Sequence, residues 1–320
     1  MELQPWPGRP ESMTVALETG DQVHYLDWRP AAAGDAAALP PLVLLHGLAQ
    51  TAWAWTPVAR RLATVVATVS IDLRGHGLSD APRSGYGLES LAYDALTIMT
   101  ACGWGPDANG RPAVVAGHGL GAMVVATMAR LRPASVAALA IVDAGWEAMD
   151  EATGMTAADY QRTVGDPPEV LASMAAYLAD RRDFDPDSWD ADQEQAARAA
   201  VDEKHAGHVA PVTRPHALRG AIEAMWSYDP AVAVGAANLP LLVALAESGT
   251  ADDEVARDRR LALDDLLRLR AARGLPATDV VRLPRAGHNL MRYRPAELSA
   301  ALLDLLRRAA TNGRMRGGSG

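Results

Sequence analysis

Six short apolar runs, separated by stretches of helical periodicity, restrict this chain to one kind of architecture. They occupy residues 41–45, 64–71, 112–116, 136–142, 241–246 and 279–283. A strand buried on both faces reads as an unbroken apolar run rather than as an alternation. Helical patterns at 53–62, 88–101, 120–131, 252–272 and 296–308 fill the gaps. Strand and helix in alternation predict a mostly parallel, twisted sheet with helices on both faces. Residues 13–18 and 22–28 alternate around Gly20-Asp21, which predicts an opening β-hairpin. In such sheets ligands bind beyond the carboxyl ends of the strands. Four of the six runs end in a turn that carries Gly, Asp or His, so the polar groups are expected along one rim.

One segment breaks the rhythm. Between about 146 and 227 there is no buried-strand pattern, only helix-like pieces rich in Trp and Met. It reads as a helical cap inserted into a core formed by 13–145 and 228–308, with 309–320 as a loose, Gly- and Arg-rich tail. Trp146 and Trp226, with His118, are the candidates for the wall of an apolar substrate pocket. The plainer alternative is that the tryptophans only fasten the cap to the sheet and that His118 packs beneath its turn.

Composition excludes several classes of partner. The net charge of −9 argues against nucleic acid and anionic membrane. The lone Cys102 rules out an internal disulfide framework and fits a reducing compartment. No signal peptide and no apolar run of membrane-spanning length is visible, so a cytoplasmic location is the default. His205, His208 and His216 have loose, metal-like spacing but no Cys and no clear carboxylate set beside them. A zinc site is therefore not expected, and no cofactor is implied. The expected partner is a small molecule; oligomeric state is not legible.

The run at 112–116 leads into Gly117-His118-Gly119-Leu120-Gly121. This is the Gly-x-Ser-x-Gly pattern of a strained strand-to-helix turn, with glycine where the serine would stand. Together with His46-Gly47, the stretch Asp72–Asp80 and Gly287-His288-Asn289, it resembles the α/β-hydrolase superfamily. More narrowly, it resembles actinobacterial-type, esterase-like members with a helical cap. The resemblance spans about residues 13–308. It implies that His288 is the general base, and that the backbone N–H groups of Leu48 and Leu120 form an oxyanion hole. The acid that orients His288 is expected to be Asp143, with Asp252 second and Glu247 also nearby; alternatively, Asp143 only caps a helix. Asp72, Arg74, His76 and Asp80 are expected to shape their turn through ion pairs or backbone bonds.

Glycine at 119 leaves three readings open. The chain is of serine-hydrolase lineage, knocked out or residually active, and acts on a small-to-medium hydrophobic ester, lactone, thioester or amide. Or it is an enzyme with no covalent step, using His288 as the base for elimination, cyclisation, lyase chemistry or attack by water. Or it is a pseudoenzyme that binds a ligand.

Overall fold

The computed structural model describes residues 7–28, 39–164, 173–205, 207–247 and 254–317. The chain opens with a hairpin of β1 (Glu11–Ala16) and β2 (Gln22–Asp27). Strands β3 (Leu42–Leu45) and β4 (Thr68–Ile71) flank α1 (Thr56–Leu62), and α2 (Leu88–Ala101) precedes β5 (Ala113–His118). Next come α3 (Leu120–Leu131) and β6 (Val136–Val142). The inserted segment holds α4 (Met149–Thr153), α5 (Ala157–Val164), α6 (Met174–Phe184), α7 (Ala191–Ala199), β7 (Val201–His205), β8 (His208–Pro211) and α8 (Pro215–Trp226). The core resumes with α9 (Pro230–Ala233), β9 (Leu241–Glu247), α10 (Glu254–Ala272), β10 (Thr278–Pro284), α11 (Leu290–Tyr293) and α12 (Pro295–Gly317).

Eight strands form one sheet in the order β1-β2-β4-β3-β5-β6-β9-β10. Only the β1–β2 and β2–β4 pairs are antiparallel. The expected mostly parallel α/β-hydrolase sheet is what the chain forms. Side chains alternate across it: Leu42 and Leu44 of β3 join one buried cluster, Val43 and Leu45 the other. The first cluster is closed by α1 and α12, where Leu298, Leu302, Leu305 and Ala309 form a helical stripe. The second is closed by α2, α3, α8 and α10, through Leu91, Met123, Met225 and Leu263 among others.

Two expectations need correction. The inserted segment is not purely helical, because β7 and β8 pair antiparallel within it. That short polar hairpin carries no apolar run to reveal it. The expected tail from 309 is also helical as far as Gly317. The apolar stripe stops at Ala309, but each residue added to an existing helix gains a hydrogen bond without a new nucleation cost.

The turn after β4 is built as expected from ion pairs and backbone bonds. The Arg74 guanidinium grips Asp94 of α2 with Nε–Oδ2 at 2.6 Å and Nη2–Oδ1 at 2.7 Å, both side chains buried. Asp80 accepts the Gln22 N–H at 2.8 Å, tying the turn to β2. Asp72 is 1% exposed and accepts the N–H groups of Ala52 and Leu78 at 2.6 and 3.0 Å. Truncating one member of a buried, bidentate pair leaves the other charge uncompensated. Asp94→Ala is therefore expected to lower unfolding free energy by about 3–5 kcal/mol. Denaturant titration reads this directly; a loss under about 1 kcal/mol would place the pair among surface-like bridges.

Candidate active site

The turn between β5 and α3 forms because two glycines let backbones touch. A Cβ on Gly117 would stand 2.1 Å from the Gly121 carbonyl oxygen, and one on Gly121 only 2.3 Å from that of Leu45. Between them Gly119 adopts φ +56° and ψ −122°, a conformation costly for any residue with a side chain. A Cβ built on Gly119 would lie 3.3 Å from the Gly47 Cα and 3.8 Å from His288 Nε2. A side chain at 119 would thus project into the space between the loop after β3 and the His288 imidazole.

His288 lies in the loop between β10 and α11, with its side chain 56% exposed. Its Nδ1–H donates to Asp143 Oδ2 at 2.8 Å. This bond fixes the tautomer, so the Nε2 lone pair is the one that faces Gly119. Asp143 ends β6 at φ +51° and is 1% exposed. Its Oδ1 accepts the Ala246 N–H at 2.7 Å and an Arg259 N–H at 3.3 Å. The buried carboxylate is thereby satisfied on both oxygens. The nearest helix start is at Met149, with Ala148 at its cap, so Asp143 is not a helix cap. Glu247 instead faces Arg282 at 3.3 Å on the exposed side, and Asp252 lies outside the described residues.

The loop after β3 is held from several sides. Gly47 N–H donates to Gln50 Oε1 at 2.9 Å, and Gln50 Nε2 donates to Asn289 Oδ1 at 2.8 Å, joining this loop to the residue after His288. Leu48 follows Gly47, so its peptide borders the space above Gly119. Leu120 is the first residue of α3, where an N–H has no acceptor within its own helix and the helix dipole favours negative charge. His46 is fully buried; burial lowers its pKa, and its Nε2 accepts the Leu73 N–H at 3.1 Å.

Three expected pocket residues have other work. His118 is 1% exposed, donates from Nε2 to the His288 carbonyl at 3.0 Å and lies against the His288 ring at 4.3 Å between centroids. It supports His288 from beneath rather than lining a pocket. Trp146 is 2% exposed and donates to the Arg259 carbonyl at 3.1 Å. Trp226 donates to the Met155 carbonyl at 3.0 Å and packs on Tyr160, inside the inserted segment. A small groove of about 110 Å³ lies between α7 and the Gln50–Asn289 bond, and neither His288 nor Asp143 lines it. Among the described residues, no three His, Cys, Asp or Glu side chains cluster to hold a metal ion.

A second layer escaped the sequence reading. Arg259 of α10 donates to the Asp143 carbonyl at 2.8 Å and to Glu147 Oε1 at 3.0 Å, with its guanidinium 4.8 Å from the Trp146 ring centroid. The charged pattern of α10 does not distinguish Arg259 from its neighbouring arginines, whereas Glu147 follows Trp146 at the expected rim. Burial pushes the Glu147 carboxyl up to about 7 against the pull of Arg259, and its Oε2 has no hydrogen-bond partner among the described residues.

The family model described as Alpha/beta hydrolase family matches residues 42–301. Over 143 residues, 44% of the chain, the sequence is 29% identical to a 2-(acetamidomethylene)succinate hydrolase of Mesorhizobium japonicum, of which the match spans 49%. Over 128 residues, 39% of the chain, it is 30% identical to epoxide hydrolase 4 of Homo sapiens, of which 32% is spanned. The matched stretch is thus half or less of each curated relative. A crystal structure of E-2-(acetamidomethylene)succinate hydrolase superposes with a TM-score of 0.74 at 21% identity, covering 93% of this chain and 99% of that one. A thioesterase domain from the curacin biosynthetic pathway gives 0.65 at 19%, over 92% and 100%. These structural likenesses are likenesses of fold. No helix among the described residues is long and apolar enough to cross a membrane.

The raised Glu147 carboxyl gives a stability signature. In the folded chain it keeps a proton that the unfolded chain releases above its ordinary pKa of 4.5. Its contribution is therefore fully present at acid pH and is lost as pH rises from about 4.5 to about 7. Glu147→Gln should remove that slope, so the variant gains on the parent across this window by a few kcal/mol, on the order of 1.4 kcal/mol per pKa unit. Urea titrations of both proteins at several pH values measure the difference; parallel curves would contradict it.

Proposed function

The chain belongs to the alpha/beta hydrolase family, and on that premise we propose that it hydrolyses a small carboxylic ester, lactone, thioester or amide without a covalent step. His288, oriented by Asp143, takes a proton from water positioned above Gly119. The water oxygen then attacks the substrate carbonyl, whose oxygen turns toward the N–H groups of Leu48 and Leu120. The proton on Nε2 passes to the leaving group as the tetrahedral intermediate collapses.

One observation carries this proposal: Nε2 stands 3.8 Å from where a Cβ of residue 119 would be, while Nδ1 is bonded to a buried carboxylate. A base must come within about 2.6–3.2 Å of the atom whose proton it takes. A water held beyond that Cβ position, toward Nε2, would come within this reach while lying beside the Gly47 loop. The rim therefore supplies a base, an orienting acid and a site for developing negative charge, which is the set of parts acyl transfer needs. The relative named for hydrolysis of 2-(acetamidomethylene)succinate supports hydrolysis of a small molecule.

General-base assistance is worth about 10²–10⁴ in rate. With a panel of p-nitrophenyl esters and small amides, His288→Ala should lose at least about 10²-fold in kcat/KM, and Asp143→Asn a comparable factor. Undiminished turnover in a folded His288→Ala protein would contradict the proposal. A ligand that raises Tm with no product formed would point to a binding protein instead.

A further inference from the structure

At the edge of the sheet, three side chains outside the rim of Gly119 form a Ser-His-Asp arrangement. Ser12 of β1 hydrogen-bonds His24 of β2, Oγ to Nε2 at 2.8 Å. The other ring nitrogen, Nδ1, donates to Asp72 Oδ2 at 2.7 Å. The connectivity is that of a hydrolytic triad: nucleophile on one imidazole nitrogen, carboxylate on the other. We propose that Ser12 is a nucleophile activated by His24 and Asp72, able to accept an acyl group from a small activated ester at the exposed edge of the sheet.

The arrangement follows from strand register. In the β1–β2 hairpin Ser12 stands opposite Leu26 and Thr14 opposite His24, so Ser12 and His24 are diagonal neighbours on one face. β1 is the outermost strand, and Ser12 is exposed on it while His24 is 2% exposed. The hydroxyl is thus open to a reagent and the imidazole behind it is not. Asp72 is held in the ionised form. Burial pushes its carboxyl up, but the His24 bond, the nearby His46 and the Ala52 N–H outweigh burial and leave it below its ordinary value. An ionised Asp72 on Nδ1 keeps the proton there, and the Nε2 lone pair is left to receive the proton of Ser12.

The step balances. Ser12 Oγ attacks the ester carbonyl as its proton moves to His24 Nε2. The carbon–oxygen bond to the leaving group breaks, the leaving alkoxide takes that proton as an alcohol, and the acyl group stays on Ser12. Nothing in this argument draws on an oxyanion hole, a feature worth about 10²–10³ in rate. Stoichiometric modification is therefore the readout, rather than turnover.

The test treats the native chain with a fluorophosphonate and maps the modified peptide by tandem mass spectrometry. Attack by Ser12 on phosphorus expels fluoride, and the proton leaves through His24. Residue 119 carries no hydroxyl, so this result is independent of the chemistry proposed for His288. The expected result is modification at Ser12 about 10²–10⁴-fold faster in the folded chain than in urea. Ser12→Ala should abolish it. No adduct at Ser12, or one that forms as fast in the unfolded chain, would overturn the proposal. So would an unchanged rate in a His24→Gln protein shown by circular dichroism to be folded.

Discussion

Close backbone contact at the β5–α3 turn is the constraint on which the site depends. Gly117 lies against the Gly121 carbonyl, and Gly121 against the end of β3, at distances that leave no room for a Cβ at either position. This contact sets α3 directly behind the strand and aims its first N–H at the rim. It also holds the Gly47–Leu48 peptide beside residue 119. The rim residues brought in from β6 and from the loop after β10 complete a geometry whose centre is backbone rather than side chain. The rest of the site therefore stands without any side chain at 119.

Glycine at 119 suits the backbone that the turn imposes. The backbone there keeps an angle that would strain a serine by about 1–3 kcal/mol, and glycine accepts it freely. The His288–Asp143 pair does not rely on residue 119 for its position. It is fixed from behind by the Ala246 N–H and Arg259 on the carboxylate, and from beneath by His118. Arg259 holds Asp143 and Glu147 together, so the acid sits in a network with one carboxyl raised toward neutrality. Buried networks of this kind act as units, and removing one member exposes the charge of another.

Much of this was legible in the sequence, for identifiable reasons. Buried parallel strands write themselves as apolar runs, and the spacing of their terminal turns gave the rim, including Asp143 at the end of an otherwise apolar β6. A lone carboxylate there needs partners, and it has them in His288 and Ala246. Three things were not legible. The β7–β8 hairpin is polar and leaves no periodic signal. Trp146 and Trp226 read as pocket walls because aromatic content reveals burial but not which side is buried. Arg259 and His24 owe their importance to partners more than 45 residues away, Asp143 and Asp72, and no local pattern encodes such pairing.

The proposed roles of His288, Asp143, Leu48 and Leu120 amount to a base and donor set around residue 119. The most direct measurement is fluorophosphonate modification of Gly119→Ser, resolved by peptide mapping and accompanied by ester hydrolysis rates. The account predicts rapid modification at residue 119 and a gain of several orders of magnitude in hydrolysis, both lost when His288→Ala is added. A folded Gly119→Ser protein that is neither modified at 119 nor faster than its parent would contradict it.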